Sequence, residues 1–196
     1  MTYVKDKEII EAYSKNPTNW IHVDEEGKIH MRLANDKLII PTYLGTNLTA
    51  ERVVDNSKED PWRPSYVTCS IPEGLNLFMT ELTSGKHGEV NVPVQTLRKV
   101  NDVLVDRDIP ALKMQIKIGE AGRLKTNALN GETGLQIKTM PELKKQLTRG
   151  SEIKFVLNIN KIKKKYLNGH CTNLVITEAA EAETYVETMP QELLDA

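Results

Sequence analysis

The stretch GSEIKFVLNINKIKKKYLNGHCTNLVIT, residues 150–177, decides how the rest of the chain is read. Ile153, Phe155, Leu157 and Ile159 alternate with Lys154, Val156, Asn158 and Asn160, the period of a half-buried strand. A second strand is expected over 172–177, with Leu174 and Ile176 on its apolar face. Between the two, Lys161, Lys163, Lys164, Lys165 and Tyr166 lead into Asn168-Gly169, a pair that favours tight turns because both residues tolerate positive φ. A β-hairpin with four lysines and one aromatic ring suits a ligand with a negative backbone and flat rings, as single-stranded nucleic acid has.

The formal net charge of the 196 residues is only −1, but the charge is polarised along the chain. Residues 111–170 hold thirteen Lys and Arg against four Glu, a net of +9, so the remainder sums to −10. Such a distribution predicts a basic binding face in acidic surroundings.

Cys69 and Cys171 form neither a disulfide framework nor a metal-ligand cluster, and both fall in expected strands, where a buried free thiol is the plain reading. His22, His30, His87 and His170 are scattered without the spacing of a metal or catalytic centre. No nucleophile–base arrangement is visible, so no enzyme, no cofactor and no metal are expected. Met1-Thr2-Tyr3 leads straight into charged residues, and no apolar run approaches the roughly 18 residues of a membrane span. A soluble, intracellular protein is the expectation.

Residues 5–14 read as a short amphipathic helix ending before Pro17, and three short segments within 20–43 read as a β-meander. Residues 55–64 are a polar, proline-bounded linker carrying Trp62. A strand is expected over 65–71, helical turns around Leu75–Leu82 positions, and a further helix over 92–105 from the spacing of Val94, Leu97, Val100 and Leu104. Leu112, Met114, Ile116 and Ile118 then alternate with Lys113, Gln115 and Lys117, and the return strand over 123–129 sets Arg123, Lys125 and Asn127 outward. A weak strand over 135–138 precedes Thr139-Met140-Pro141-Glu142, which has the form of a capping box.

With 65–71 as first strand, the order becomes three strands, a short helix and two strands, that of an OB-fold, a five-stranded Greek-key barrel. In such barrels the face of strands 2 and 3 and the loops after strands 1 and 4 bind oligonucleotides. Here that face would carry Lys113, Lys117, Arg123 and Lys125, and the last loop would be 161–170. The fold class is therefore mainly β: an OB-fold over 61–178, an N-terminal extension (1–60) packed on the barrel, and an acidic C-terminal tail (179–196).

On these features the sequence resembles the OB-fold single-stranded DNA-binding proteins of phage replication systems. The resemblance covers about residues 64–178: Ile71-Pro72 followed by a helix, a basic hairpin, Gly150-Ser151 opening the penultimate strand, the basic loop with Asn168-Gly169, and a last apolar strand running into acidic sequence. It implies sequence-tolerant binding of single-stranded DNA in replication or recombination, in a virus or phage. Lys113, Lys117, Arg123, Lys125, Lys161, Lys163, Lys164 and Lys165 would track phosphates, with Trp62 and Tyr166 as stacking surfaces. The family's acidic tail contacts polymerase and helicase-primase partners; here no Lys or Arg follows Lys165, but the chain ends Leu193-Leu194-Asp195-Ala196 without an aromatic.

Plainer readings stand beside these. The lysine loop could simply be solvated, Tyr166 folded over its hairpin, and Trp62 a plug at one end of the barrel. Trp20 and Phe155 read as core. An OB-like protein-interaction module and an RNA-binding protein are the alternative functions, and the sequence leaves monomer and homo-oligomer open.

Overall fold

The computed structural model of the protein describes residues 3–57 and 63–180. Helix α1 (Asp6–Lys15) is followed by short strands β1 (Ile21–Val23), β2 (Ile29–Arg32) and β3 (Leu38–Ile39), then by a long strand β4 (Thr42–Val54). Next come β5 (Ser65–Ser70), helix α2 (Glu73–Thr83), β6 (Val94–Val100) and β7 (Val103–Ile116). Strands β8 (Arg123–Asn130) and β9 (Leu135–Thr139) lead to helix α3 (Met140–Gln146) and β10 (Glu152–Asn158). A two-stranded ribbon, β11 (Ile162–Lys163) and β12 (Tyr166–Leu167), precedes β13 (His170–Glu178). The fold is mainly β, as the alternation predicts. Among the described residues no helix is long and apolar enough to cross a membrane.

Five strands close into a ring. β4 pairs antiparallel with β5 and β10, β5 with β7, and β10 with β13, while β13 closes the circle beside β7 in parallel. Beyond Cys171, β13 exchanges β7 for β8, again in parallel, and β9 follows on the outer side. With α3 between the third and fourth barrel strands, this is the OB arrangement. Its core is built by the alternating residues that the sequence marks: Leu112, Met114, Ile116, Ile153, Phe155, Leu157, Leu174 and Ile176 are all buried.

The strand count corrects the sequence-based one. The first barrel strand is Thr42–Val54, which the expected boundary near residue 60 assigns to the extension, and Ser65–Ser70 is the second. β4 escapes a periodicity reading because it does not keep one face: Asn47 sits at φ 56° and the register slips against both neighbours. Such irregularities bend a strand, so the first half of β4 can serve β10 and the second half β5. Gly45 answers a local need there, since a Cβ would stand 2.7 Å from the Phe155 ring.

Three further expectations change. The segment 92–105 is not a helix but a β-hairpin, β6 turning into β7 through Asn101 and Asp102, both at positive φ. Its helical spacing of apolar residues is coincidental, and Val94, Val100, Val103 and Val105 are β-branched residues that fit a strand. The turn of the lysine hairpin is Lys164-Lys165 (φ 51° and 67°), not Asn168-Gly169, which instead leads into β13. At α3, Thr139 Oγ1 accepts from the Glu142 N–H, but the Glu142 carboxylate accepts from the N–H of Lys138 rather than Thr139.

The N-terminal segment forms its own layer. β1, β2 and β3 make a small antiparallel sheet, and Trp20 is buried between Tyr13 of α1 and Phe78 of α2, at ring-centroid distances of 5.6 and 6.5 Å. The Asp6 carboxylate accepts from the N–H groups of Gly74 and Leu75, both at 2.9 Å, and so caps α2, whose own N-cap position holds Pro72. Tyr43 donates its hydroxyl to the same carboxylate, tying α1 to the first barrel strand.

Candidate nucleic-acid interface

Two recesses adjoin on one side of the barrel and share Pro64 and Gln115. The larger, about 550 Å³, is lined by Arg63, Lys117 and Lys125 together with Ser57, Ile118 and Gly119. The second, about 350 Å³, is lined by Tyr66, Lys113 and Tyr166 with Val92, Pro93 and Gln95. Together they form one groove that runs from a cationic end to an aromatic one.

The strand geometry explains why these side chains meet. Lys113 and Gln115 on β7 and Lys117 just beyond its end continue one alternation, while Tyr66 sits opposite Gln115 on β5. Beyond β7 the chain reverses through Ala121 and Gly122, both at positive φ. The Lys125 N–H donates to the Lys117 carbonyl at 2.8 Å, and Ile118 bridges Leu124, which sets Lys117 and Lys125 side by side on one face. Thr126 pins this corner from behind: its Oγ1 accepts from the Lys117 N–H at 3.0 Å and donates to the Cys171 carbonyl at 2.7 Å.

Tyr166 is held at the other end by its backbone. The Asn91 N–H donates to the Lys165 carbonyl at 2.7 Å, and the Leu167 N–H donates to the Asn91 carbonyl at 3.0 Å. On the far side of the ribbon the Ile162 N–H donates to the Gly27 carbonyl, and a Cβ on Gly27 would run into the Ile162 carbonyl oxygen. The β11–β12 ribbon is therefore gripped from both sides, and the Tyr166 ring, 64% exposed, stands free above it. The Tyr66 ring is half-buried, with Lys113 Nζ 4.2 Å from its centroid, in cation–π range.

Of the residues expected from sequence, Lys113, Lys117, Lys125 and Tyr166 line this groove. Arg123 lies one pair farther along the Lys117–Lys125 corner and lines neither recess. Lys161, Lys163, Lys164 and Lys165 ride on the ribbon that walls the second recess without lining it, and Lys165 Nζ is ion-paired with Glu89 at 3.2 Å. Trp62 lies outside the described residues, as does the tail from 181 onward. Arg63 and Tyr66 line the groove without being among the residues expected from sequence. The signal was present in the alternation of β5, which sets Tyr66 apart from Val67 and Cys69.

The electrostatics favour an anion. Among the described residues none of Arg63, Lys113, Lys117 and Lys125 is ion-paired with a carboxylate. His170, paired across to Gln115, has its pKa held below the ordinary value by burial and by the nearby charge of Lys117. Among the described residues no group of three or more His, Cys, Asp or Glu is placed to hold a metal ion.

No family model matches the sequence, and no curated protein matches it. Among solved structures the chain is similar to the single-stranded DNA-binding protein from bacteriophage Enc34. A C-terminal truncation of that protein is 10% identical with a TM-score of 0.47, covering 83% of this chain and 98% of that one. The same protein without the truncation gives 11%, 0.45, 89% and 99%. Its complex with ssDNA gives 11%, 0.44, 86% and 99%.

Proposed function

We propose that this chain is a sequence-tolerant single-stranded DNA-binding protein that acts without catalysis, in phage DNA replication or recombination. The observation that carries the reading is the groove itself. It aligns four cations free of ion pairs among the described residues, Arg63, Lys113, Lys117 and Lys125, with two tyrosine rings, Tyr66 and Tyr166. Cations along a track take phosphates, and rings take unstacked bases whatever their identity, because every base presents a π-face. A duplex keeps its bases stacked inside and cannot use the rings, so an unpaired strand fits best. The replication or recombination setting is supported by the layout of the sequence. The cations of the ribbon, Lys161, Lys163 and Lys164, and Arg123 outside the groove, would meet phosphates that leave it.

The test is a titration of labelled oligo-dT followed by anisotropy at several salt concentrations. Four phosphate contacts predict log K falling against log salt with a slope of about −2.8, from about −0.7 per contact. Affinity that ignores salt would overturn the reading. Preference for oligo-U over oligo-dT would move it to RNA, through a 2′-hydroxyl contact.

A further inference from the structure

Strand β6 and the outer half of β7 leave the barrel as a two-stranded arm. Its tip is the Asn101-Asp102 turn, at φ 50° and 63°, the positive values that a type I′ hairpin turn requires. At its root Arg107 donates to both carboxylate oxygens of Glu51 on β4, at 3.1 and 2.8 Å. The arm is thus anchored, yet Leu97, Val100, Val103, Leu104 and Ile109 on it are between 42% and 63% exposed. Exposed apolar side chains gathered on one projecting element mark a contact surface. Arg98, Lys99 and Arg107 are balanced by Asp102, Asp106 and Asp108, so the arm carries no net attraction for a polyanion. A protein suits it better.

β6 ends the eight-stranded sheet, and among the described residues β7 is its only strand partner. Its outer edge therefore offers unpaired backbone donors and acceptors. The strand reads Val94-Gln95-Thr96-Leu97-Arg98-Lys99-Val100, a pattern whose polarity is the same from either end. About a two-fold axis through Leu97, antiparallel pairing sets Val94 opposite Val100 of a second copy, Gln95 opposite Lys99, Thr96 opposite Arg98 and Leu97 opposite itself. Apolar side chains meet apolar ones, and each cation meets a neutral amide or hydroxyl. Other two-fold registers fail: centring on Arg98 or Lys99 opposes like charges, and centring on Thr96 sets Val94 against Arg98.

We propose that β6 pairs with β6 of a second copy of this chain, joining two barrels through a four-stranded ribbon. The proposal is independent of nucleic-acid binding and is read without it. A seven-residue strand pair is a small interface, so a concentration-dependent dimer is expected.

Sedimentation velocity of the full chain over a concentration series should show monomer passing to dimer. Leu97→Asp sets carboxylate against carboxylate at the axis and should weaken dimerisation by about tenfold or more. Leu97→Cys should form an intermolecular disulfide under mild oxidation, whereas Leu104→Cys, on β7 and away from the axis, should not. The native cysteines do not confuse the result, being buried with thiols pushed up to about 12. A chain monomeric throughout, an L97D variant dimerising like the parent, or equal cross-linking at 97 and 104 would each overturn the proposal. Should L97D unfold, the cross-linking pair still decides.

Discussion

Lys113 Nζ stands 4.2 Å from the centroid of the Tyr66 ring, on the neighbouring strand of the barrel. One contact thus joins the two kinds of group that an unpaired strand needs, a cation for the phosphate and a ring for the base. Tyr66→Ala should lower oligo-dT affinity by about 1–3 kcal/mol, the usual worth of one stacked base. Tyr66→Phe keeps the ring and should bind nearly as the parent does. Equal loss in both variants would mean that the hydroxyl or the fold, not stacking, is at stake.

Lys117 and Lys125 line the groove, while Lys163 and Lys164 ride on the ribbon beside it. Changing the first pair to Gln should therefore weaken binding more than changing the second. The salt slope should also flatten by about 1.4 for the first pair, at about 0.7 per lost phosphate contact. Salt titrations of both double variants give the comparison. A larger effect from the ribbon pair would shift the track outward onto the ribbon.

Lys164 and Lys165 occupy a two-residue turn at φ 51° and 67°, where a side chain with a Cβ is strained. Replacing them by Asn-Gly should stabilise the protein by about 1 kcal/mol, because these residues accept left-handed backbone at least cost. The variant also removes two charges from the ribbon without disturbing its pairing. Thermal melting reads the first effect and oligo-dT titration the second. A lowered melting temperature would refute the turn assignment.

Glu51 and Arg107 are a partly buried, bidentate pair whose side chains are 27% and 15% exposed. The arginine hydrogen bonds hold the Glu51 pKa below its ordinary 4.5 against the opposing effect of burial. A lowered carboxyl pKa gives stability that is present above the unfolded value and lost as pH falls through the folded one. Glu51→Gln should therefore destabilise by about 1–3 kcal/mol at pH 7. Its difference from the parent should shrink in acid, as pH falls from the unfolded value of 4.5 through the lowered folded one and the parent's carboxylate also protonates. Melting curves at neutral and acid pH test this, and a constant difference would contradict it.

Much of the barrel was legible in the residues. Strict alternation over Leu112–Ile116 positions and Ile153–Leu157 positions marks strands with one buried face, because one wrong residue on that face would put a polar group in the core. Lys113, Lys117 and Lys125, which line the groove, were legible as outward-facing for the complementary reason: they fill the faces that alternation leaves to solvent. The two reading errors with the largest consequences, β4 and the 92–105 hairpin, fall where that logic lapses. β4 changes partner midway, so no single face of it is buried, and the arm is exposed on both sides.

Sequence alone determined which stretches could become strands and where positive charge would accumulate, since both follow from local patterns of side chains. Tertiary structure decided which of those charges share a groove. Lys117 and Lys125 meet through backbone pairing across a turn, Tyr66 and Lys113 through a strand register, and Tyr166 through the grip of Asn91 and Gly27 on its ribbon. The first is a local turn, but the other two are long-range choices made by barrel closure, and no window of sequence contains both partners.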